Sequence, residues 1–177
     1  MQRLAAGERA ALGVLVERHQ AAVYRYARSL TDPAAAEDAL QQCFLDALRG
    51  AGTWSGRASV RSWLFTLARN AVYRGARRRA GEPPAFVPLH ELGAAAGWGE
   101  DPEQAAERAL GREVLAAALE RLHPEHREII VLRELEQLSG PEVARLLGIS
   151  LAAQKSRLHR ARLQLAAHLR QEVSRGT

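Results

Sequence analysis

The chain has 177 residues, 47% of them hydrophobic and 25% charged, with a formal net charge of +5. That length and composition suit a soluble globular chain with one ordinary domain or two small ones. No apolar run approaches the roughly 20 residues of a membrane span, the opening MQRLAAGERA lacks a signal-like apolar stretch, and the single Cys43 excludes a disulfide framework.

Charge is unevenly placed. Residues 1–80 hold 13 basic against 6 acidic side chains, residues 81–107 none against 6, and residues 108–177 hold 12 against 8. Two basic blocks thus flank an acidic strip, and basic blocks point to a polyanionic partner. Only one of the 25 basic residues is lysine, so a bias toward arginine contributes to the impression.

In the first block, Leu12, Leu15, Val16, His19, Val23, Tyr26, Ala27 and Leu30 recur with a 3.6-residue period. Thr31, Asp32 and Pro33 close that helix and open the next, AAAEDALQQCFLDAL. Its expected inward face is Ala36, Leu40, Cys43, Phe44, Ala47 and Leu48, with Cys43 a small core residue. Glu37, Asp38, Gln41 and Gln42 share the outward face; carboxylates and amides without interspersed cations form a protein-docking patch.

Residues 53–79, TWSGRASVRSWLFTLARNAVYRGARRR, begin as a glycine-interrupted loop and continue as a helix capped by Ser59. Trp63, Leu64, Leu67 and Ala71 form an apolar stripe, with Trp63 expected in the core. Arg61, Asn70, Arg74, Arg77, Arg78 and Arg79 remain for phosphates and base edges. An aromatic beside a cationic groove can support an unstacked base, and the loop from Ser55 to Ser59, next to Trp54, is the candidate nucleotide pocket.

From Gly81 to Pro102, prolines and glycines interrupt every candidate helix, and no strand alternation appears. The segment reads as a linker between two helical domains. Phe86, Val87, Leu89, Leu92 and Trp98 make it more apolar than a plain spacer, which fits docking onto a partner.

The stretch Leu138–Leu169 reads as a helix-turn-helix. Ser139 is the expected N-cap, Pro141 falls in the first turn, Val143, Leu146 and Leu147 point inward, and Gly148 ends the helix where a left-handed residue is wanted. Ser150 caps a second helix with Leu151, Leu158, Ala161 and Leu165 on its apolar side. Lys155, Ser156, Arg157, His159, Arg160 and Arg162 fill the remaining surface, chemistry suited to guanine acceptors and phosphates in a major groove.

The segments AAEDALQQCFLDAL, GRASVRSWLFTLARNAVYRGARRR and ALERLHPEHREIIVLRELEQLSGPEVARLLGIS, followed by KSRLHRARLQL, resemble conserved regions two and four of bacterial extracytoplasmic-function sigma factors. Together they cover most of the chain in the family's order. The resemblance implies an all-α fold of two small domains, 1–80 and 108–177, joined by a flexible acidic linker, 81–107. It implies a non-enzymatic, cytoplasmic protein without metal, cofactor or membrane insertion, which binds core RNA polymerase, directs it to promoters and assists melting. Glu37, Asp38, Gln41 and Gln42 would meet the polymerase clamp helices. Trp54, Ser55, Gly56, Arg57, Ser59, Arg61, Asn70, Arg74, Arg77 and Arg78 would handle the minus-ten strand, and Lys155, Ser156, His159 and Arg160 the minus-thirty-five major groove. The linker would thread toward the polymerase active-site and RNA-exit channel. An anti-sigma protein, which can be membrane-bound, is the implied regulator.

Three departures from the family pattern stand out. Ala152, Ala153 and Gln154 replace the common Gly-Thr-Val, Gly140 and Pro141 replace an aromatic-containing pair, and Tyr73 stands where relatives often have a basic residue. A response-regulator output domain would carry an alternating-strand acceptor domain, which this pattern lacks. The histidines form no nucleophile or metal signature: His123 and His126 stand three apart around Pro124 without further ligands. The main competing reading is a helix-turn-helix repressor or activator that binds DNA without polymerase.

Overall fold

The computed structural model describes residues 1–8, 10–79 and 102–175, and every regular element among them is helical. A short α1 (Gln2–Ala5) precedes α2 (Ala10–Arg28), α3 (Pro33–Gly50), a single 3-10 turn (Ala51–Thr53) and α4 (Val60–Arg78). The second half comprises α5 (Pro102–Glu120), α6 (Pro124–Ile130), a π-helical turn (Val131–Leu135), α7 (Gly140–Leu147) and α8 (Leu151–Arg175). Of the expected linker, residues 81–101, with Phe86, Val87, Leu89, Leu92 and Trp98, lie outside the described residues, and α5 begins at Pro102, inside the 81–107 stretch.

Local chemistry accounts for the boundaries. The Asp32 carboxylate accepts from Ala35 N at 2.9 Å and Pro33 occupies the first turn, so α3 starts where the chain leaves α2. Ser59 Oγ accepts from Ser62 N at 3.2 Å at the head of α4. Ser139 and Glu142 form a reciprocal capping box on α7, whose end is set by Gly148 at φ +67°, a conformation that costs a side chain energy. Ser150 Oγ accepts from Ala153 N at 3.1 Å and caps α8.

In the first half α3 packs against α2 and α4 around Val23, Tyr26, Cys43, Phe44, Leu64 and Phe65, all buried. In the second, α8 lies across α5, α6 and α7, burying Leu119, Ile129, Leu132, Val143, Leu158 and Ala161. The two apolar sets belong to one continuous cluster. Two expected inward residues are instead exposed: Leu48, at 38%, and Leu151, at 42%. Leu48 stands about two turns beyond the exposed Gln41, on the outward side of α3, while Ala47 and Ala51 beside it stay buried; Leu151 is in the first turn of α8 and lies over Gly140 at the edge of α7.

Candidate promoter and polymerase interfaces

On α8 the side chains of Lys155, Ser156, His159 and Arg160 are all exposed. Their spacing of one, four and five residues sets them on one side of the helix. Leu158 and Ala161 face the core on the other side, so the four polar residues can be replaced without opening it. The neighbouring basic residues are engaged elsewhere: Arg157 pairs with Glu125 at 3.3 Å and Arg162 with Glu134 at 2.6 Å. The exposed basic face of α8 without a carboxylate partner among the described residues is therefore narrower than the sequence pattern implies.

Gln154 falls on the inward side, 2% exposed, and its Nε2 has no hydrogen-bond partner. Its Oε1 sits 3.3 Å from the point where a Cβ at residue 140 would stand. Gly140 and Gln154, two departures from the family pattern, are thus one packing solution: the missing side chain at 140 makes room for the long amide.

On α3, Glu37, Asp38 and Gln41 are exposed and Gln42 is half-buried, donating to Asp46 Oδ1 at 2.7 Å. The same side continues through Leu45, 47% exposed, and Leu48. An apolar patch beside acid and amide groups is the composition of a protein interface. Sequence reasoning missed both leucines as surface residues, although their spacing of four and seven residues from Gln41 continues the outward face. Between α3 and α4 runs a groove of about 400 Å³ lined in part by Asp38, Gln41, Gln42, Leu45, Arg78 and Arg79.

The candidate strand-handling residues divide into two patches. Asn70, Arg74, Arg77 and Arg78 share one side of the C-terminal half of α4, where Arg74 pairs with Asp46. Arg61 lies about 180° around the same helix from Asn70, by the 3.6-residue turn. The loop before α4 exposes Ser55, Gly56, Arg57 and Ser59, with Gly56 at φ +73° and the half-buried Trp54 ring against it. Trp54 Nε1 is buried without a partner. Trp63 is half-buried against the core, as expected of it.

Although the loop is exposed, it and Arg61 also touch the second half of the chain. Ser59 Oγ donates to Glu142 Oε1 at 2.6 Å, and Arg145 reaches the Arg57 carbonyl at 3.5 Å. Arg61, its guanidinium 5.6 Å from the Phe65 ring centroid, pairs with Glu136. Arg25 Nε adds a second cation to that carboxylate at 3.1 Å. Glu136 itself is 1% exposed, and the π-helical turn followed by Gln137 at φ +53° turns it toward the first half of the chain. Deeper in, Glu128 Oε1 accepts from Tyr26 at 2.8 Å and from Arg69 at 2.9 Å.

These surroundings shift several groups. Burial, reinforced by Glu128, raises the Tyr26 phenol well above its ordinary value. Burial pushes the Cys43 thiol up to about 12, as befits a core residue. Burial and then the charges of Arg61 and Arg18 lower His19. For Glu142, burial acts upward, but hydrogen bonds from Ser59 and Ser139 outweigh it and hold the carboxyl below its usual range. No cluster of three or more metal-ligating side chains occurs among the described residues, and no helix among them is long and apolar enough to cross a membrane.

Comparison with known proteins gives this geometry a family. Residues 15–82 match Sigma-70 region 2, and residues 112–165 match Sigma-70, region 4. The chain is 34% identical over 179 residues to the RNA polymerase sigma factor CarQ of Myxococcus xanthus, covering 99% of this chain and 100% of that one. It is 36% identical over 165 residues to the ECF RNA polymerase sigma factor SigM of Mycobacterium tuberculosis, covering 91% and 78%. The solved structure of CnrH in complex with the cytosolic domain of CnrY superposes with a TM-score of 0.66 at 28% identity, covering 95% and 93%. The protein is a member of the sigma-70 family, in its extracytoplasmic-function branch, and so a transcription initiation factor rather than an enzyme.

Proposed function

We propose that this sigma factor divides its work among three surfaces. Glu37, Asp38, Gln41 and Gln42, extended by Leu45 and Leu48, dock on core RNA polymerase. Trp54, Ser55, Gly56, Arg57, Ser59 and Arg61, with Asn70, Arg74, Arg77 and Arg78, hold the minus-ten strand. Lys155, Ser156, His159 and Arg160 read the minus-thirty-five element. The observation that carries the reading is the exposed polar face of α8, set on the second helix of a capped helix-turn-helix.

Two further expectations accompany it. The protein acts in the cytoplasm, where core polymerase and DNA are, and a partner protein restrains it, as the capture of CnrH with the cytosolic domain of CnrY illustrates for a relative. The test is transcription from genomic DNA by purified core polymerase with and without the chain, followed by promoter-variant profiling of Lys155→Ala and Arg160→Ala. A base-edge contact contributes about 1–3 kcal/mol, so promoter use should fall roughly 5- to 100-fold with altered preference confined to the upstream element. Unchanged upstream preference in both variants refutes the α8 assignment. Specific DNA binding that is indifferent to core polymerase refutes the sigma mechanism in favour of a free-standing regulator.

A further inference from the structure

The four residues proposed to read the minus-thirty-five element leave the first turn of α8 without a role. Leu151, Ala152 and Ala153 are all exposed there, and the two alanines are among this chain's departures from the family pattern. At about 100° per residue, the middle line of the face formed by Lys155, Ser156, His159 and Arg160 passes within about 10° of Ala152. Leu151 and Ala153 fall about 110° and 90° off that line, to either side. Ala152 therefore heads the stripe, three residues before Lys155 and four before Ser156.

The rotation of this turn is set from behind. Gln154, about 160° around the helix from Ala152, is 2% exposed, and its Oε1 fills the space that a side chain at residue 140 would need. Ala161, about 180° from Ala152, is also buried. Ser150 Oγ holds the start of the helix by accepting from Ala153 N at 3.1 Å. The Ala152 methyl is thus held outward, at the end of the second helix that in a helix-turn-helix meets the base edges.

Chemistry narrows the target. A methyl group neither donates nor accepts a hydrogen bond, so it has nothing to offer the polar edges of guanine, adenine or cytosine. The major-groove feature it complements is the C5-methyl of thymine.

We infer, on the α8 assignment proposed above, that Ala152 is a specificity-determining residue of this factor: its methyl packs on the C5-methyl of one thymine in the minus-thirty-five element. Discrimination then combines one apolar contact at the head of the stripe with polar contacts from the four residues behind it. Burial of a single methyl-sized group contributes about fourfold in affinity.

The experiment uses the full chain bound to core polymerase and a fluorescein-labelled duplex of a promoter that the complex transcribes. Each thymine of the minus-thirty-five element, on either strand, is replaced in turn by deoxyuridine, which lacks only the C5-methyl. Fluorescence anisotropy at matched salt should show uridine at one position weakening the parent about fourfold. Ala152→Gly should lose a similar factor on the unmodified duplex and be indifferent to uridine at that position. Ala152→Ser, which keeps a side chain on the turn but makes it polar, should lose most of the same sensitivity. Ala153→Gly deletes a methyl at the same cost in helix propensity one residue away, and should keep the sensitivity in full.

The inference is overturned if no thymine is sensitive in the parent, or if the uridine effect is of equal size in the parent and both Ala152 variants. An equal loss of sensitivity in Ala153→Gly also overturns it, because the whole first turn rather than the Ala152 methyl then carries the effect. In any of these cases, a shifted minus-thirty-five preference in Lys155→Ala and Arg160→Ala leaves the α8 assignment standing without Ala152. Unchanged preference in those two variants means that the α8 assignment itself has failed.

Discussion

Replacing Tyr26 by phenylalanine isolates one bond in the contact between the two halves of the chain. The ring would keep its place, 0% exposed and 5.0 Å from the Phe65 centroid, while the hydroxyl that donates to Glu128 at 2.8 Å is removed. Glu128 is 3% exposed, and Arg69 donates to the same oxygen. A hydrogen bond to a charged group contributes about 1.5–3 kcal/mol. In a chain of this size each 1 kcal/mol lowers Tm by roughly 2–4 °C, so Tyr26→Phe should lower it by about 3–12 °C. With Glu128→Gln in the background the acceptor is neutral, and the same replacement should cost only about 0.5–1.5 kcal/mol. Thermal unfolding of the parent, both single variants and the double variant, followed by circular dichroism, gives the coupling directly. A Tyr26→Phe variant within about 0.5 kcal/mol of the parent, or an equal loss in both backgrounds, refutes the buried charged hydrogen bond.

Other outcomes follow from single sites. Gln154→Leu removes a buried amide with an unpartnered Nε2 and should raise stability by about 1 kcal/mol in urea denaturation; a loss would mean that the amide is satisfied. Cys43, its thiol raised to about 12, should resist a water-soluble thiol reagent at pH 8 in the folded chain and react at once in denaturant. His19 should titrate below 6.5 by NMR, because burial and then Arg61 and Arg18 disfavour its cation. Since the unfolded chain then binds the extra proton, that contribution to stability is present above pH 6.5 and is lost as pH falls from 6.5 through the folded pKa. A midpoint at or above 6.5 would contradict the placement of His19 near Arg61.

What could be read from the sequence was local. Asp32, Ser59, Ser139, Gly148 and Ser150 announce helix ends because a cap is a bond between residues three or so positions apart, and all five act as such. The polar spacing along α8 likewise places Lys155, Ser156, His159 and Arg160 together. The apolar period, however, says only which side of a helix is greasy, and not how far the cover extends; Leu48 and Leu151 lie past its edge. Pairings at large separation carry no periodic signal. Arg61 with Glu136 and Ser59 with Glu142 join residues 75 and 83 positions apart; nothing local distinguishes Glu136 from a solvated carboxylate, and the capping-box spacing of Glu142 points to Ser139, not to Ser59. The splitting of the strand-handling candidates into two sides of α4 was available in principle, since Arg61 and Asn70 are nine residues, about two and a half turns, apart.

The way α8 is fastened has a consequence for how such a factor changes its target. Over its 25 residues, about 37 Å of helix, it is pinned by Arg157 to Glu125, Arg162 to Glu134, Gln164 to His126 and Glu172 to Arg121. None of those pins uses Lys155, Ser156, His159 or Arg160. The four residues proposed to read DNA therefore form, on that proposal, an interchangeable cassette on a fixed mount. Exchanges among them can alter which base pairs are favoured while leaving the angle of presentation, and the folding of the domain, untouched. Divergence of promoter choice after gene duplication needs no compensating change in the core.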